Sequence, residues 1–286
     1  MKQYIKLARP HHWMKNVLVV LPLLCSGQVG EWPRLRAAIW GFFAFSLMAS
    51  GIYVVNDIRD REKDRNNSYK CHRPIASGAI SIPRAVVFAV VLILISLSCG
   101  YLASGPDVKC LLFLGLYFVL NLGYSFGLKD VPLVDIAILV SGFLLRTLYG
   151  GAVTGIELSK WLCLTVTAGS FYLGLGKRKG ELLGQKSQRT VLKYYSHDFL
   201  DKNMYVCLAL TVMFYTLWTV DSVTVARVGS EDLIWTVPLL LLICMRYTMD
   251  SNREHDGDPV EVLIHDKVLL FMGLVLAIVV FFLIYI

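Results

Sequence analysis

Charged residues are scarce in this chain: Asp, Glu, Lys and Arg make up only 17% of its 286 residues, whereas hydrophobic residues make up 56%. Soluble globular chains carry about 25% charged residues, so the composition argues against a water-soluble protein. What fills the chain instead is a series of apolar runs of about 17 to 25 residues, long enough to cross a hydrocarbon core as helices. Because these runs are continuous and do not alternate, they argue against a transmembrane barrel.

The sequence also lacks a cysteine cluster with metal-ligand spacing, since its seven cysteines are scattered and lie mostly in apolar runs. Such cysteines are typical of inert thiols in apolar surroundings. No soluble or low-complexity segment interrupts the apolar runs, so we expect residues 1–286 to form a single polytopic membrane domain. Residues 1–13 carry cations between apolar side chains, which predicts an interfacial segment leading into the first span and not a cleaved signal peptide.

The apolar runs predict nine transmembrane helices in one bundle. Pro22 lies inside the first run and leaves it only a short strongly apolar part. Long polar connections follow the second, sixth and eighth spans. The predicted spans are residues 15–31, 35–55, 83–104, 110–128, 131–153, 158–176, 203–222, 232–249 and 267–286.

Lysine and arginine are distributed unequally between the two sides of this bundle. Of the 28, 22 fall on the side of the N-terminus, and Arg146 lies inside the fifth span. The opposite side holds Arg34, Arg36, Lys109, Lys160 and Arg227. The positive-inside rule predicts a multi-pass protein of the cell (inner) membrane, with its N-terminus and long loops cytoplasmic. This bias explains much of the net charge of +7, so no nucleic acid is expected as a partner, and the remaining cations can serve anionic lipid or substrate.

Three carboxylates, Asp57, Asp60 and Asp64, follow the second span. On a continuing helix their spacing of i, i+3 and i+7 places them on one face. Like charges repel each other unless a cation neutralises them, and Mg²⁺ on a diphosphate is held by a few carboxylates completed by water and phosphate oxygens. The alternative is an ordinary solvated helix end, because basic residues alternate with the acids over residues 59–65.

The pattern Asn56-Asp57-x-x-Asp60-x-x-x-Asp64, followed by Arg73-Pro74-Ile75-Ala76-Ser77-Gly78, resembles the first aspartate-rich motif of the UbiA superfamily of intramembrane prenyltransferases. The resemblance implies an all-α, nine-helix transmembrane bundle with a polar cytoplasmic cavity, and active-site loops at about 56–82 and 177–202. It also implies a metal-dependent transferase. Asn56 and the catalytic, metal-binding residues Asp57, Asp60 and Asp64 would hold the diphosphate of a donor through Mg²⁺, with Mn²⁺ as the alternative ion.

Basic residues stand after the sixth span, where that family carries a second aspartate-rich motif: the segment contains Lys177, Arg178 and Glu181. Cations cannot hold a second metal ion. They can bind a phosphate directly, Arg through a bidentate fork and Lys as a point charge. Glu181 would then orient the guanidinium or a ribose hydroxyl. The alternative is that this cluster only sets membrane topology.

The segments Gly176–Leu182 and Arg9–Asn16 resemble the phosphoribosyltransferase branch of the same family. That resemblance implies transfer of 5-phosphoribose from phosphoribosyl diphosphate to a polyprenyl phosphate of the decaprenyl type, for precursors of cell-wall arabinan. Substrates with several phosphates require additional cations. The substrate-binding candidates are Lys15, Arg73, Lys177 and Arg178. Lys15 has a second interpretation, as a lysine that snorkels to the interface.

Three further features are ambiguous. Arg146 lies inside a span, where a charge costs about 3 kcal/mol, so it should pair with Glu157 or reach a phosphate. Asp135 would face the cavity from the same helix. The acidic residues between 250 and 261 are a second metal contact or a solvated cap.

Two other functions stay open on the sequence alone. One is a prenyltransferase that uses a prenyl diphosphate donor and an aromatic or lipid acceptor. The other is a lipid-binding protein or transporter, against which the clustered aspartates argue. The sequence fixes neither the length of the lipid tail nor the oligomeric state.

Overall fold

The computed structural model describes residues 1–67, 70–184, 189–251, 262–263 and 265–286, and this part of the chain is helical with no strand. The all-helical prediction is therefore confirmed. The chain divides into two compact units. Unit 1 comprises Met1–Leu23, Gly30–Leu128 and Leu148–Ile156, and unit 2 comprises Leu24–Val29, Lys129–Thr147 and Glu157–Ile286. Whether the units form one domain, as the sequence suggests, stays a prediction.

The first half of the chain contains one very long helix with shorter ones before and after it. The elements are α1 (Lys2–Ala8), a 3₁₀ helix (Pro10–Val19), α2 (Leu21–Leu24), α3 (Trp32–Arg59), α4 (Arg61–Arg65), α5 (Ile82–Ser104) and α6 (Val108–Ser125). Proline stands in the first turn of both α3 and α5, where its missing N–H costs nothing. Helix α3 packs along α5 and also contacts α1, the 3₁₀ helix and α6.

The second half continues with helices of similar length. They are a 3₁₀ turn (Leu128–Asp130), α7 (Val134–Thr154), α8 (Lys160–Leu183), a 3₁₀ helix (Thr190–Tyr194), α9 (His197–Thr219), α10 (Ser222–Val228), a 3₁₀ helix (Asp232–Thr236), α11 (Val237–Ser251) and α12 (Lys267–Tyr285). The side chains of Ser159, Ser196 and Asp266 cap α8, α9 and α12 by accepting hydrogen bonds from backbone N–H groups of the first turn. Helix α8 packs along α9.

Six helices in the described part of the chain are long and apolar enough to cross a membrane. The bent pair α9 and α10, with 56° between the two helices, raises the number to seven if it is one span. Helix α8 matches the sixth predicted span in position, but it is not among the six. The count of nine thus stays a prediction.

The structure differs from the sequence-based expectation at the first span and at the two loops. Residues 15–31 form no continuous α-helix: a 3₁₀ helix ends at Val19, and α2 covers only Leu21–Leu24 around Pro22. The loop boundaries also shift, because Asp57 still belongs to α3 and Lys177 to α8. The polar site residues therefore begin on helix ends, which are more rigid supports than loops.

Apolar contacts hold together the segments that carry the polar motif of unit 1. Leu7, Val54 and Ile75 are buried in one cluster, which also includes Ile80 and residues of α5. Leu7 lies two residues before Arg9 and Val54 three residues before Asp57, whereas Ile75 lies two residues after Arg73. In unit 2 a second cluster joins Ile136 of α7 and Leu175 of α8 to the segment after residue 190.

Candidate functional site

Two acids and two arginines meet in unit 1, and we call Arg9, Asp57, Asp64 and Arg73 the aspartate cluster. Arg9 Nη2 lies 2.5 Å from Asp57 Oδ1. Arg73 Nη1 bridges both acids, 3.1 Å from Asp57 Oδ1 and 2.7 Å from Asp64 Oδ2. The Asp57 side chain is only 2% exposed, whereas both arginines are partly open to solvent. The cluster therefore presents buried carboxylates behind accessible cations.

The geometry of α3 explains which aspartates meet. The helix ends at Arg59, Asp60 is the junction residue, and Asp64 belongs to the separate short helix α4. A single helix through all three aspartates is therefore not formed. Among the described residues, no group of three or more His, Cys, Asp or Glu side chains is placed to hold a metal ion, so the expected convergence of three carboxylates is not observed.

The N-terminal segment lies along one face of α3 and carries Arg9 to Asp57. Asn16 Nδ2 donates to Ser46 Oγ at 2.9 Å, and Trp13 Nε1 donates to Ser50 Oγ at 3.0 Å. Ser50 Oγ in turn donates to the carbonyl of Ala8 at 2.7 Å. Since positions 46, 50 and 57 repeat at helical spacing, the segment follows one stripe of α3 down to the aspartate.

Arg9 itself has an unusual backbone. Its φ of 53° is in the left-handed region, which costs an L-residue roughly 1 to 2 kcal/mol. This conformation separates α1 from the 3₁₀ helix that begins at Pro10. The guanidinium also lies 5.3 Å from the ring centroid of Tyr53, within cation–π range. The surrounding contacts thus hold Arg9 in a strained turn beside Asp57.

The oxygen atoms at this site suit a hard divalent cation. Burial raises the pKa of the Asp64 carboxyl above its ordinary value, against the opposing charge of Arg73. The Oδ1 atom of Asn56 is buried without a hydrogen-bond partner. Two carboxylates and an amide oxygen are ligand types that Mg²⁺ accepts when water and phosphate oxygens complete its shell. The residues present therefore fit Mg²⁺, and the part of Asp60 in holding the ion stays a prediction.

Unit 2 contains a continuous series of polar contacts that we call the ion chain: Asp135, Arg178, Glu181, Arg189 and Tyr195. Arg178 Nε donates to Asp135 Oδ2 and Nη1 donates to Glu181 Oε2, each at 2.6 Å. Glu181 Oε1 lies 3.5 Å from Arg189 Nε. Tyr195 donates its phenolic proton to Asp135 Oδ1 at 2.6 Å. Arg178 and Asp135 are both 0% exposed, so a buried cation lies at the centre of the ion chain.

The electrostatics of the ion chain favour the charged form of Glu181. Burial would raise the pKa of Glu181, but the charges of Arg178 and Arg189 outweigh burial and hold that pKa below its ordinary value. Burial, together with the hydrogen bond to Asp135, raises the pKa of Tyr195 to about 12. The phenol therefore stays protonated and acts as a donor at physiological pH.

The basic residues of α8 differ in exposure. Lys179 is buried and pairs with Asp201, whereas Lys177 is half-buried. Because Arg178 already uses two donors inside the protein, its geometry does not favour the direct phosphate contact that we expected from the sequence. Lys15 is half-buried within the 3₁₀ helix of unit 1. The predicted roles of Lys15, Lys177 and Arg178, and those of Asn56, Asp60 and Glu181, stay predictions.

Two further sequence predictions have partial outcomes. The guanidinium of the buried Arg146 donates to the carbonyl of Gly142 at 2.5 Å and lies 5.6 Å from the ring centroid of Phe143. Its pairing with Glu157 stays a prediction. Asp250 is buried at the end of α11, and the acidic residues 254, 256, 258 and 261 lie outside the described residues.

Comparison with known proteins explains both the fold and the motif. The model of the UbiA prenyltransferase family matches residues 17–259. The chain belongs to this UbiA family. This match confirms the family that the aspartate motif indicated. As a UbiA protein the chain is an integral, multi-pass membrane protein and a transferase.

Relatives at 33–38% identity narrow the comparison within the UbiA family. A decaprenyl-phosphate phosphoribosyltransferase of Corynebacterium glutamicum is 38% identical over 94% of this chain and 83% of its own. Its namesake in Mycobacterium tuberculosis is 33% identical over 94% of this chain and 90% of its own. A solved UbiA homologue from Archaeoglobus fulgidus, bound to GPP and Mg²⁺, covers 99% of both chains with a TM-score of 0.73 and 18% identity. This last likeness shows the fold.

Sequence reasoning about this UbiA protein missed three members of the two clusters. Arg9 was noted only as part of a motif, although the cation before Pro10 is the signal that could have identified it. Tyr195 and Arg189 carried no signal, because their partners lie 60 and 8 residues away in the sequence. Only the fold brings them to Asp135 and Glu181.

Proposed function

We propose that this protein transfers the 5-phosphoribosyl group from phosphoribosyl diphosphate to a polyprenyl phosphate of the decaprenyl type, for precursors of cell-wall arabinan. The observation that carries the proposal is the 38% identity, over 94% of the chain, to a phosphoribosyltransferase that acts on decaprenyl phosphate. The basic segment at the end of α8 supports it, because Lys177, Arg178 and Lys179 stand where the acids of a second aspartate-rich motif were expected, and substrates with several phosphates require additional cations.

The reaction exchanges one bond at ribose C1. The bond between C1 and the diphosphate oxygen breaks, and diphosphate leaves with the electron pair. An oxygen of the lipid phosphate forms the new bond to C1. The acceptor is already an anion, so no general base is needed. Direct displacement inverts the anomeric centre, and the α-donor gives a β-linked product.

The aspartate cluster serves the leaving group in this proposal. Asp57 and Asp64, with Asn56 beside them, would hold Mg²⁺, or Mn²⁺ as the alternative. When bound, this ion supplies positive charge to the departing diphosphate. Arg73, which bridges both carboxylates, is partly exposed and can donate to a phosphate oxygen. Arg9 keeps the Asp57 carboxylate in a fixed position through its 2.5 Å contact.

The proposal also includes the membrane topology. Both clusters lie at the cytoplasmic face of a nine-span protein in the cell membrane, where a soluble phosphorylated donor is available. The placement of 22 of the 28 lysines and arginines on one predicted side supports this orientation. A cysteine at the exposed Glu62 should react with an impermeant maleimide only after cells are opened. A cysteine at Glu31, in the predicted outer loop, should react in intact cells, and the reverse pattern would contradict the topology.

A transfer assay tests the function and separates it from the two alternatives. Purified protein receives labelled phosphoribosyl diphosphate, a short polyprenyl phosphate and Mg²⁺, and labelled lipid is extracted. We expect labelled phosphoribosyl lipid, which disappears with EDTA and returns with added Mg²⁺. Product formed only from a prenyl diphosphate would support the prenyltransferase. Lipid binding without product from either donor would support the lipid-binding protein or transporter.

A further inference from the structure

We propose that Arg189 is a further substrate-binding residue, which contacts a phosphate group of the donor or of the lipid acceptor. Asp135, Arg178 and Tyr195 are positioning residues that act through Glu181 to hold Arg189 in place. This inference rests on the proposed function, and it assigns to the end of the ion chain the phosphate contact first expected of Arg178.

The first step is that Arg178 is enclosed. Its side chain is 0% exposed, and its Nε and Nη1 atoms both donate to carboxylates at 2.6 Å. A phosphate would have to replace one of these carboxylates and leave it buried without its cation. Breaking a buried pair in this way is strongly unfavourable. Arg178 therefore serves the protein interior and not the ligand.

The second step concerns the order of contacts. Each oxygen of the two acids has its own partner: Asp135 takes Tyr195 and Arg178, and Glu181 takes Arg178 and Arg189. The series therefore runs in one direction, from an enclosed acid to Arg189, whose side chain is 29% exposed. Arg189 can therefore contact a ligand while the buried ion pairs of the series stay intact.

The third step is the anchor at the other end. The phenolic oxygen of Tyr195 accepts the N–H of Leu133 at 2.7 Å, and Leu133 has a left-handed φ of 66°. Thr190, next to Arg189, donates to Asp130. The turn before α7 is thus tied twice to the segment 189–195. These contacts fix both the strained turn and the backbone that carries Arg189.

The last step is the chemistry of the pairing. The contact of Arg189 with Glu181 is long, at 3.5 Å, compared with the 2.6 Å contacts of Arg178. A longer, partly solvated pair holds a guanidinium in place at little cost, and the planar guanidinium can donate along more than one direction. A buried chain of charges is expensive relative to apolar packing. Its presence here is explained if it positions a residue that binds substrate.

The test compares substitutions at the two ends of the ion chain, Arg189 and Tyr195, with substitutions at neighbouring control residues. Arg189→Gln should raise the KM for one substrate roughly tenfold or more, because a charge-assisted hydrogen bond is lost. A rise for phosphoribosyl diphosphate assigns the contact to the donor, and a rise for polyprenyl phosphate assigns it to the acceptor. Lys193→Gln removes a charge from the same segment and should leave both KM values unchanged.

Tyr195→Phe tests positioning. It should raise the same KM about threefold and also lower Tm, since a buried hydrogen bond is lost, whereas Tyr194→Phe, at the exposed neighbouring ring, should change neither. In the double variant, Tyr195→Phe should add no further rise to that of Arg189→Gln, because Tyr195 acts through Arg189. Arg178→Lys should also raise that KM above the wild-type value, since a point charge cannot donate along two directions.

The outcomes that overturn the inference are distinct from failure of the proposed function. Unchanged KM values for both substrates in Arg189→Gln, or full additivity with Tyr195→Phe, would contradict it while wild-type activity stands. If the wild-type protein makes no labelled lipid, the proposed function fails. Equilibrium binding of phosphoribosyl diphosphate and of polyprenyl phosphate then decides the inference, since Arg189→Gln must weaken one of them and Lys193→Gln neither.

Discussion

The aspartate cluster of unit 1 and the ion chain of unit 2 have opposite arrangements of charge. In unit 1 the acids are buried and their arginine partners are partly exposed. In unit 2 an arginine is buried and is enclosed by acids, with the exposed cation at the end of the series. A carboxylate whose arginine partners are partly exposed remains a potential ligand for a metal ion. The buried Arg178 guanidinium already donates to two carboxylates. The first arrangement suits metal binding and the second suits positioning.

The two sites are also fixed by different means. In addition to its ion pairs, unit 1 uses a backbone segment docked along α3 through hydroxyl and amide hydrogen bonds at Ser46 and Ser50. Unit 2 uses charged side chains that contact each other at 2.6 Å. Neutral hydrogen bonds contribute about 1 kcal/mol each and tolerate small shifts, whereas removal of one member of a buried ion pair leaves an uncompensated charge. Substitutions should therefore have different consequences in the two units.

The largest expected effect is the loss of activity in Asp57→Asn. The substitution keeps the volume of the side chain but removes the charge that faces Arg9, Arg73 and the proposed metal ion. We expect kcat/KM to fall about 100-fold or more, because loss even of an outer partner of a metal site costs 10- to 100-fold. The same transfer assay, with Mg²⁺ titrated, measures it.

Glu62→Gln is the matched control for this prediction, since Glu62 is an exposed acid between Asp57 and Asp64 in the sequence. It should keep wild-type activity. Because Asp57 is buried and paired, Asp57→Asn should also lower Tm. Substitution of an aspartate at an exposed helix end would instead reduce activity alone. Wild-type activity in Asp57→Asn would remove the aspartate cluster from the reaction.

The next effect in size is loss of stability in Gly150→Ala, which tests the backbone support of unit 1. A Cβ at residue 150 would lie 2.0 Å from the carbonyl oxygen of Val19, at the end of the 3₁₀ helix that carries Trp13 and Asn16. Backbone atoms must then move, at a cost of about 1 to 3 kcal/mol or more. Thermal denaturation in detergent should show a lower Tm.

Gly115→Ala provides the comparison, because a Cβ at this position of α6 has no neighbour within 4 Å. This substitution should raise stability by roughly 0.5 to 1 kcal/mol, since alanine loses less backbone entropy in a helix. Equal Tm values for the two variants would contradict the close approach of Val19 to Gly150.

The sequence was sufficient to predict the helices and the acidic motif because both depend on local patterns. Long apolar runs fix the approximate bounds of α3, α5 and α12, and the spacing of Asp57, Asp60 and Asp64 identified the UbiA family. The first span was misjudged for a local reason as well. Pro22 and the 3₁₀ geometry after Pro10 interrupt the helix, although composition alone suggests a continuous span.

The partners of the charged residues could not be predicted, because they depend on distant segments. Asp57 meets Arg9 across 48 residues and Asp135 meets Arg178 across 43. The helix break at Asp60 and the enclosure of Arg178 follow from this packing and not from the i, i+3 or i+7 spacing. The sequence therefore identified the charged residue types of both clusters, and the fold decided which of them are accessible.

The smallest effect concerns two buried tyrosines, one in each unit. Tyr149 in unit 1 packs against Phe45, and its hydroxyl is buried without a hydrogen-bond partner. Tyr172 in unit 2 donates to the carbonyl of Cys244 at 2.5 Å, and its hydroxyl lies 2.7 Å from Thr248 Oγ1. The same substitution should therefore have opposite signs in the two units.

Tyr149→Phe removes a polar atom that gains nothing from burial, so we expect unfolding free energy to rise by about 1 kcal/mol. Tyr172→Phe removes a donor and leaves the carbonyl of Cys244 with one partner fewer, so we expect a loss of about 1 kcal/mol. Both variants keep the ring and its aromatic contacts, which makes packing a constant in the comparison. Denaturation in the same detergent and lipid mixture measures the two shifts side by side. Destabilisation of equal size in both variants would mean that the Tyr149 hydroxyl has a partner after all, and that unit 1, like unit 2, satisfies its buried polar groups through side chains.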